Sequence, residues 1–180
     1  GMYEILEGAR IFRHFKKVYA CQYEYGPNGP LFPKLVINDT NKTQFLFRIN
    51  KGKLNIGENI NQHMPEPERR IPFRNMIYIG DSQTDIPSMT VIQRYGGHAV
   101  AVFNPKHEVP KLVKEMVLCG RVDHFAPADY RKGSLLEKIV RRTIKKIANS
   151  IAYYGSAEMS MRWVKGHPKR LTRKNKKRGD

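Results

Sequence analysis

The chain has 180 residues, 40% of them hydrophobic, a length and apolar content suited to one domain with a buried core. Its two cysteines, Cys21 and Cys119, stand far apart and outside any CxxC or Cys/His spacing, so neither a disulfide framework nor a zinc site is indicated and a reducing cytoplasm is expected. No apolar run approaches the ~18 residues that cross a bilayer, the N-terminus lacks the charged-then-apolar order of a signal peptide, and a formal charge of +17 attracts polyanions.

The first predicted element is a helix over "EILEGARIFRHFKK", residues 4–17, with Ile5, Leu6, Ala9 and Phe12 at helical spacing. "VYACQYEY" then reads as a strand that turns at "GPNG". A short helix is expected to start near Lys42, where Asp39 to Asn41 supply cap chemistry, Phe45, Leu46 and Ile49 a buried stripe, and Gly52 a stop. Residues 54–74 are polar and broken by prolines, the pattern of a connecting loop.

"MIYI" is a short buried strand, and "TDIPSMTVIQRYGG" a helix with Asp85 as N-cap, Pro87 in the first turn and paired glycines as terminator. "HAVAVF" and "RVDHFAPADY" supply further strands, with a helix over "PKLVKEMVLCG" between them. The stretch "GSLLEKIVRRTIKKIANSIAYY" puts Leu136, Val140, Ile144, Ile147 and Ile151 on one face of a long helix expected to cover the sheet. Alternating strands and helices imply an α/β fold with a mainly parallel sheet flanked by helices. A domain over residues 1–155 and a basic, disordered tail over 156–180 follow. From Arg162 onward there are nine basic residues and one acid, so that segment holds +8 of the +17.

In an open parallel sheet, ligands bind beyond the carboxyl ends of the strands. "NMIYIGDSQTDIPSM" places Asp81 there, with Gly80 allowing a tight bend and Asp85 four residues on. Two carboxylates in one loop suit Mg²⁺, which takes one or two carboxylates plus waters and phosphate oxygens. Taken alone, Asp81 could be a turn residue and Asp85 only a helix cap. Lys42 adds weight, because a lysine in the first turn opposes the helix dipole, while cation and dipole together attract phosphate. Its ordinary alternative is a solvated surface lysine.

Together, "NKTQFLFRINKG" and "NMIYIGDSQTDIPSM" resemble the third and fourth motifs of the haloacid dehalogenase-like (HAD) phosphohydrolases. "GGHAVAVFNP" and "DHFAPADYRKGSLLEKI" are similar to the later strands and closing helix of that core, so the resemblance covers residues 4–147. It implies a Rossmann-like fold and Mg²⁺-dependent hydrolysis of small-molecule phosphate esters. Lys42 would neutralise the transferring phosphoryl group, Asp81 would bind the metal, and Asp85 would ligate or orient it.

The first two HAD motifs are not visible. That family begins with a hydrophobic strand ending in DxD, whose first aspartate attacks phosphorus and whose second is the general acid. The run "LVINDTNKT" ends in Asp39, but Asn41 two positions on cannot shuttle a proton, and Asp39 precedes Lys42 too closely for the intervening strands. No nucleophile is therefore visible in this chain. The expectation is a fragment that starts after the second motif, is inactive alone, and leaves an unpaired strand edge beside "MIYI".

The alternative function is a non-enzymatic RNA- or DNA-binding protein. The basic face of the long helix, Lys138, Arg141, Arg142, Lys145 and Lys146, is either its solvated side or a surface for nucleic acid or acidic lipid, and the tail could add weak, sequence-independent nucleic-acid contact. His98 and His124 read as structural, and Trp163 as packed or disordered.

Overall fold

A computed structural model describes residues 2–166. The N-terminal helix is shorter than its apolar spacing suggests: α1 spans Met2–Glu7, breaks at Gly8, and a 3-10 turn over Arg10–His14 follows. Glycine interrupts helices because its unfolded backbone has the most freedom to lose, and no residue of either piece is buried in compensation. β1 (Gln22–Gly26) and β2 (Gly29–Leu35) form the expected antiparallel hairpin, closed where Gly26 faces Gly29.

α2 (Lys42–Lys51) starts and stops as its sequence predicts, ending at Gly52 in the left-handed conformation, φ 72°, that glycine adopts without strain. Two of its polar residues face inward and fix the following loop. The buried Arg48 donates to the carbonyls of Asn55 at 2.6 Å and Ile56 at 2.7 Å, and Asn50 Nδ2 donates to Ile71 O at 2.8 Å. Residues 53–75 are held by side chains, with only single 3-10 turns at Glu66–Glu68 and Phe73–Asn75.

The sheet comprises β3 (Ile77–Gly80), β4 (His98–Phe103) and β5 (His124–Pro127), all parallel, in the order β3-β4-β5. α3 (Ile86–Arg94) and α4 (Lys111–Leu118) make the two crossovers, and α5 (Leu135–Gly166) follows β5. Alternation along β4 divides the core. Ala99 and Ala101 face α3 and α4 with Met89, Val113 and Met116, while Val100 and Val102 face α5 with Leu136. Burying each of the larger side chains contributes about 1.5–3 kcal/mol, which makes β4 the anchor of both layers. A third cluster, built on Phe73, Met76 and Ile92, joins α2 to α3 and the edge of the sheet.

α5 departs from expectation in two ways. Its apolar stripe covers the sheet only near its start: Leu136 is 2% exposed, whereas Ile144 and Ile151 are 55% and 53% exposed. It also continues through 156–166, where the sequence places the start of a disordered tail; residues 167–180 lie outside the described residues. Despite its length, no described helix is apolar enough to cross a membrane. Among the described residues β3 and β5 each have one sheet neighbour, so the outer edge of β3 carries no strand.

Candidate active site

Gly80 closes β3, and the chain then turns through Asp81 and Ser82 into a 3-10 turn, Gln83–Asp85, that runs directly into α3. The bend needs glycine for space: a Cβ on Gly80 would lie 2.7 Å from Asp85 Cβ and 2.7 Å from Met89 Cε. Asp85 therefore folds back beneath the strand end and is 7% exposed.

Its carboxylate accepts hydrogen bonds on both oxygens. Oδ1 takes Lys42 Nζ and Tyr78 OH, each at 2.8 Å. Oδ2 takes Ser82 Oγ at 2.9 Å and the amides of Ser82 at 3.2 Å and Asp81 at 3.3 Å. Burial pushes the Asp85 carboxyl up, but the bonds from Lys42, Tyr78 and Ser82 outweigh it and hold the group below the usual carboxylate range. Burial, reinforced by the Asp85 charge, pushes the Tyr78 phenol well above its ordinary value, so it stays protonated and donates.

Lys42 is the first residue of α2, and its ammonium bridges two elements by binding Asp85 and, at 2.9 Å, Thr84 Oγ1. The solvated-lysine alternative does not describe it. An ammonium has three N–H donors, so these two bonds leave one for an anion. Beside it, a cleft of about 530 Å³ opens between the start of α2 and the β3–α3 turn, lined by Asp39, Thr40, Thr43, Gln83, Thr84 and Pro87.

Asp81 behaves differently from Asp85. It is exposed at the carboxyl end of β3, and its carboxylate makes no hydrogen bond or ion pair with the described residues. The two aspartates thus do not offer their oxygens equally: Asp81 can accept a cation, while Asp85 is taken up with Lys42 and the turn. No group of three or more His, Cys, Asp or Glu side chains comes within metal-ligating range among the described residues. A hard cation at Asp81 would draw its remaining ligands from water, backbone or phosphate, which is the usual manner of Mg²⁺.

Asp39 lines the cleft but does not end a strand of the parallel sheet. β2 stops at Leu35, and the segment before α2 is a loop in which Asn38 Oδ1 accepts from the amides of Thr40 and Asn41. His98 is buried at the head of β4, while His124 and Trp163 are exposed. Sequence reasoning missed Tyr78, Ser82 and Thr84 as parts of the site. Period-two alternation carried a signal for the first, since Tyr78 shares with Gly80 the face under which Asp85 folds.

No family model and no solved structure matches the chain. A curated protein of Borreliella burgdorferi, described as an uncharacterized protein, is 29% identical over 166 residues. The match takes in 84% of this chain and 56% of that protein, so the chain spans little more than half the length of the relative.

Proposed function

We propose that the chain carries the phosphate- and metal-binding half of a HAD-type, Mg²⁺-dependent phosphohydrolase with a Rossmann-like core, acting on phosphate esters in the cytoplasm. One observation supports this reading above the rest. Lys42 is held by Asp85 at the carboxyl end of a parallel strand, and an unengaged carboxylate, Asp81, stands on the same turn.

Each residue has a role that follows from its environment. Asp85, ionised and bonded on both oxygens, fixes the Lys42 ammonium and braces the turn rather than binding the metal itself. Lys42 turns its remaining donor toward a non-bridging phosphate oxygen and offsets charge on the transferring group. Asp81 would supply oxygen to Mg²⁺, which when bound would screen phosphate charge and orient the ester. Thr43 and Thr84 offer hydroxyls along the cleft wall. The attacking aspartate belongs to a further strand, and the open outer edge of β3, with Ile79 38% exposed, offers a place for one beside Asp81.

In a protein containing that strand, Asp81→Asn should nearly abolish Mg²⁺-dependent hydrolysis of an aryl phosphate, and Lys42→Ala should lower kcat by about 100-fold or more. Unchanged turnover in either variant refutes the role given to that residue.

A further inference from the structure

The outward side of α5 has no task in the Lys42 site. Lys138, Arg141, Arg142, Lys145 and Lys146 all stand exposed there. Of these five, Arg141 alone has an acidic partner among the described residues, Glu137 one turn back. Steps of three, four and seven residues keep these cations on one side of the helix, and at ~1.5 Å per residue they form a ladder about 12 Å long. Tyr153 follows Lys146 by seven residues and Arg142 by eleven, spacings that return it to that side. Tyr153 is 73% exposed, and its ring is met edge-on by Tyr154, with centroids 5.9 Å apart.

A row of cations, four of the five without an acidic partner among the described residues, continued by an exposed aromatic ring matches an extended polyphosphate whose bases are free to stack. An acidic bilayer fits less well, because a helix lying in an interface needs bulky apolar residues among its cations. Between Lys138 and Ala152 the middle of this side of α5 carries only cations, Asn149 and the small Ala148 and Ala152, and the exposed Ile144 stands at its margin beside Arg141 and Lys145. We propose that the outward side of α5 binds single-stranded nucleic acid without regard to sequence, the cations taking phosphates and Tyr153 stacking on a base. The surface is distinct from Lys42 and Asp81 and does not depend on the phosphohydrolase reading.

The test is fluorescence anisotropy of the full chain with labelled 20-mers of oligo-U and oligo-dT across a salt series. Replacing Lys138, Arg142 and Lys145 together by Gln should make the plot of log affinity against log salt shallower by about two, from ~0.7 per phosphate contact on single strands, and weaken binding about 100-fold at 100 mM NaCl, with the two plots meeting at about 1 M. Tyr153→Ala should weaken binding about tenfold and leave that slope unchanged. A control that neutralises Lys106, Lys114 and Arg121, exposed cations away from α5, should bind within about twofold of the unaltered chain. Circular dichroism confirms that each variant stays folded. The proposal is overturned if the α5 triple variant or Tyr153→Ala binds like the unaltered chain, or if the control loses as much affinity as the triple variant. Binding to phosphatidylglycerol vesicles with none to the oligonucleotides overturns it as well.

Discussion

Asp85→Asn probes the interaction on which the candidate site rests. Asparagine preserves the shape of the side chain but offers one acceptor oxygen in place of two and presents an NH₂ on the other branch. Whichever way the amide turns, that NH₂ meets groups that can only donate: Lys42 Nζ on one side, the backbone amides of Asp81 and Ser82 on the other, while the hydroxyls of Tyr78 and Ser82 can turn to accept. Either the Lys42 bond or both amide bonds are lost. A bond to a charged group contributes about 1.5–3 kcal/mol and a neutral one about 1 kcal/mol. Lys42, 27% exposed at its side chain, can recover part of that loss by turning to water. The variant should therefore be destabilised by about 2–4 kcal/mol, or about 5–15 °C in Tm for a chain of this size.

The difference depends on pH with a definite sign. The folded-state pKa of Asp85 lies below its unfolded value, so its contribution is complete above the ordinary carboxylate range and disappears as pH falls through the folded value. Urea unfolding of both proteins followed by circular dichroism should show a wide gap at pH 7 that narrows in acid below about pH 4. Equal midpoints at pH 7, or a gap that persists unchanged into acid, would refute the assignment of Asp85 as an ionised acceptor shared by Lys42 and the turn.

Gly80→Ala should lower stability by about 1–3 kcal/mol, since Met89 can move its terminal methyl but Asp85, pinned by its donors, cannot; an unchanged urea midpoint would show that the turn has room. Burial, aided by nearby Lys146, lowers the His98 pKa, so the unfolded chain protonates first as pH falls below about 6.5. Stability should decline below that pH and level off once the folded form protonates, and His98→Gln should flatten this part of the profile; an equally steep decline in the variant would place its origin elsewhere.

The parallel α/β layer was legible because its signals are local and agree. "HAVAVF" is apolar on both faces and is buried on both. The Gly52 stop and the Pro87 start lie at helix ends as written. Where burial decides, the sequence was less informative. Helical spacing over 4–17 said nothing of how little of this segment is covered: the helix ends at Gly8, and no residue of either piece is buried. The stripe through Ile144 and Ile151 has the period of a buried face but extends beyond what the sheet covers. In the site, the resemblance set Lys42 beside the two aspartates but did not foretell its ion pair with Asp85, and two aspartates four residues apart look alike in a sequence. Only the backbone turn at Gly80 separates them, directing Asp85 inward onto Lys42 and leaving Asp81 outward.

The proposed phosphoryl transfer needs an attacking aspartate on a further strand, and comparing two proteins decides whether it does. The 180-residue chain and the same chain extended upstream through a strand ending in DxD are assayed with an aryl phosphate and Mg²⁺. The longer protein should turn over and the shorter one should be slower by many orders of magnitude, since Lys42 and Asp81 position phosphate without attacking it. Robust metal-dependent turnover by the short chain, lost in Asp39→Asn, would instead make Asp39 the nucleophile.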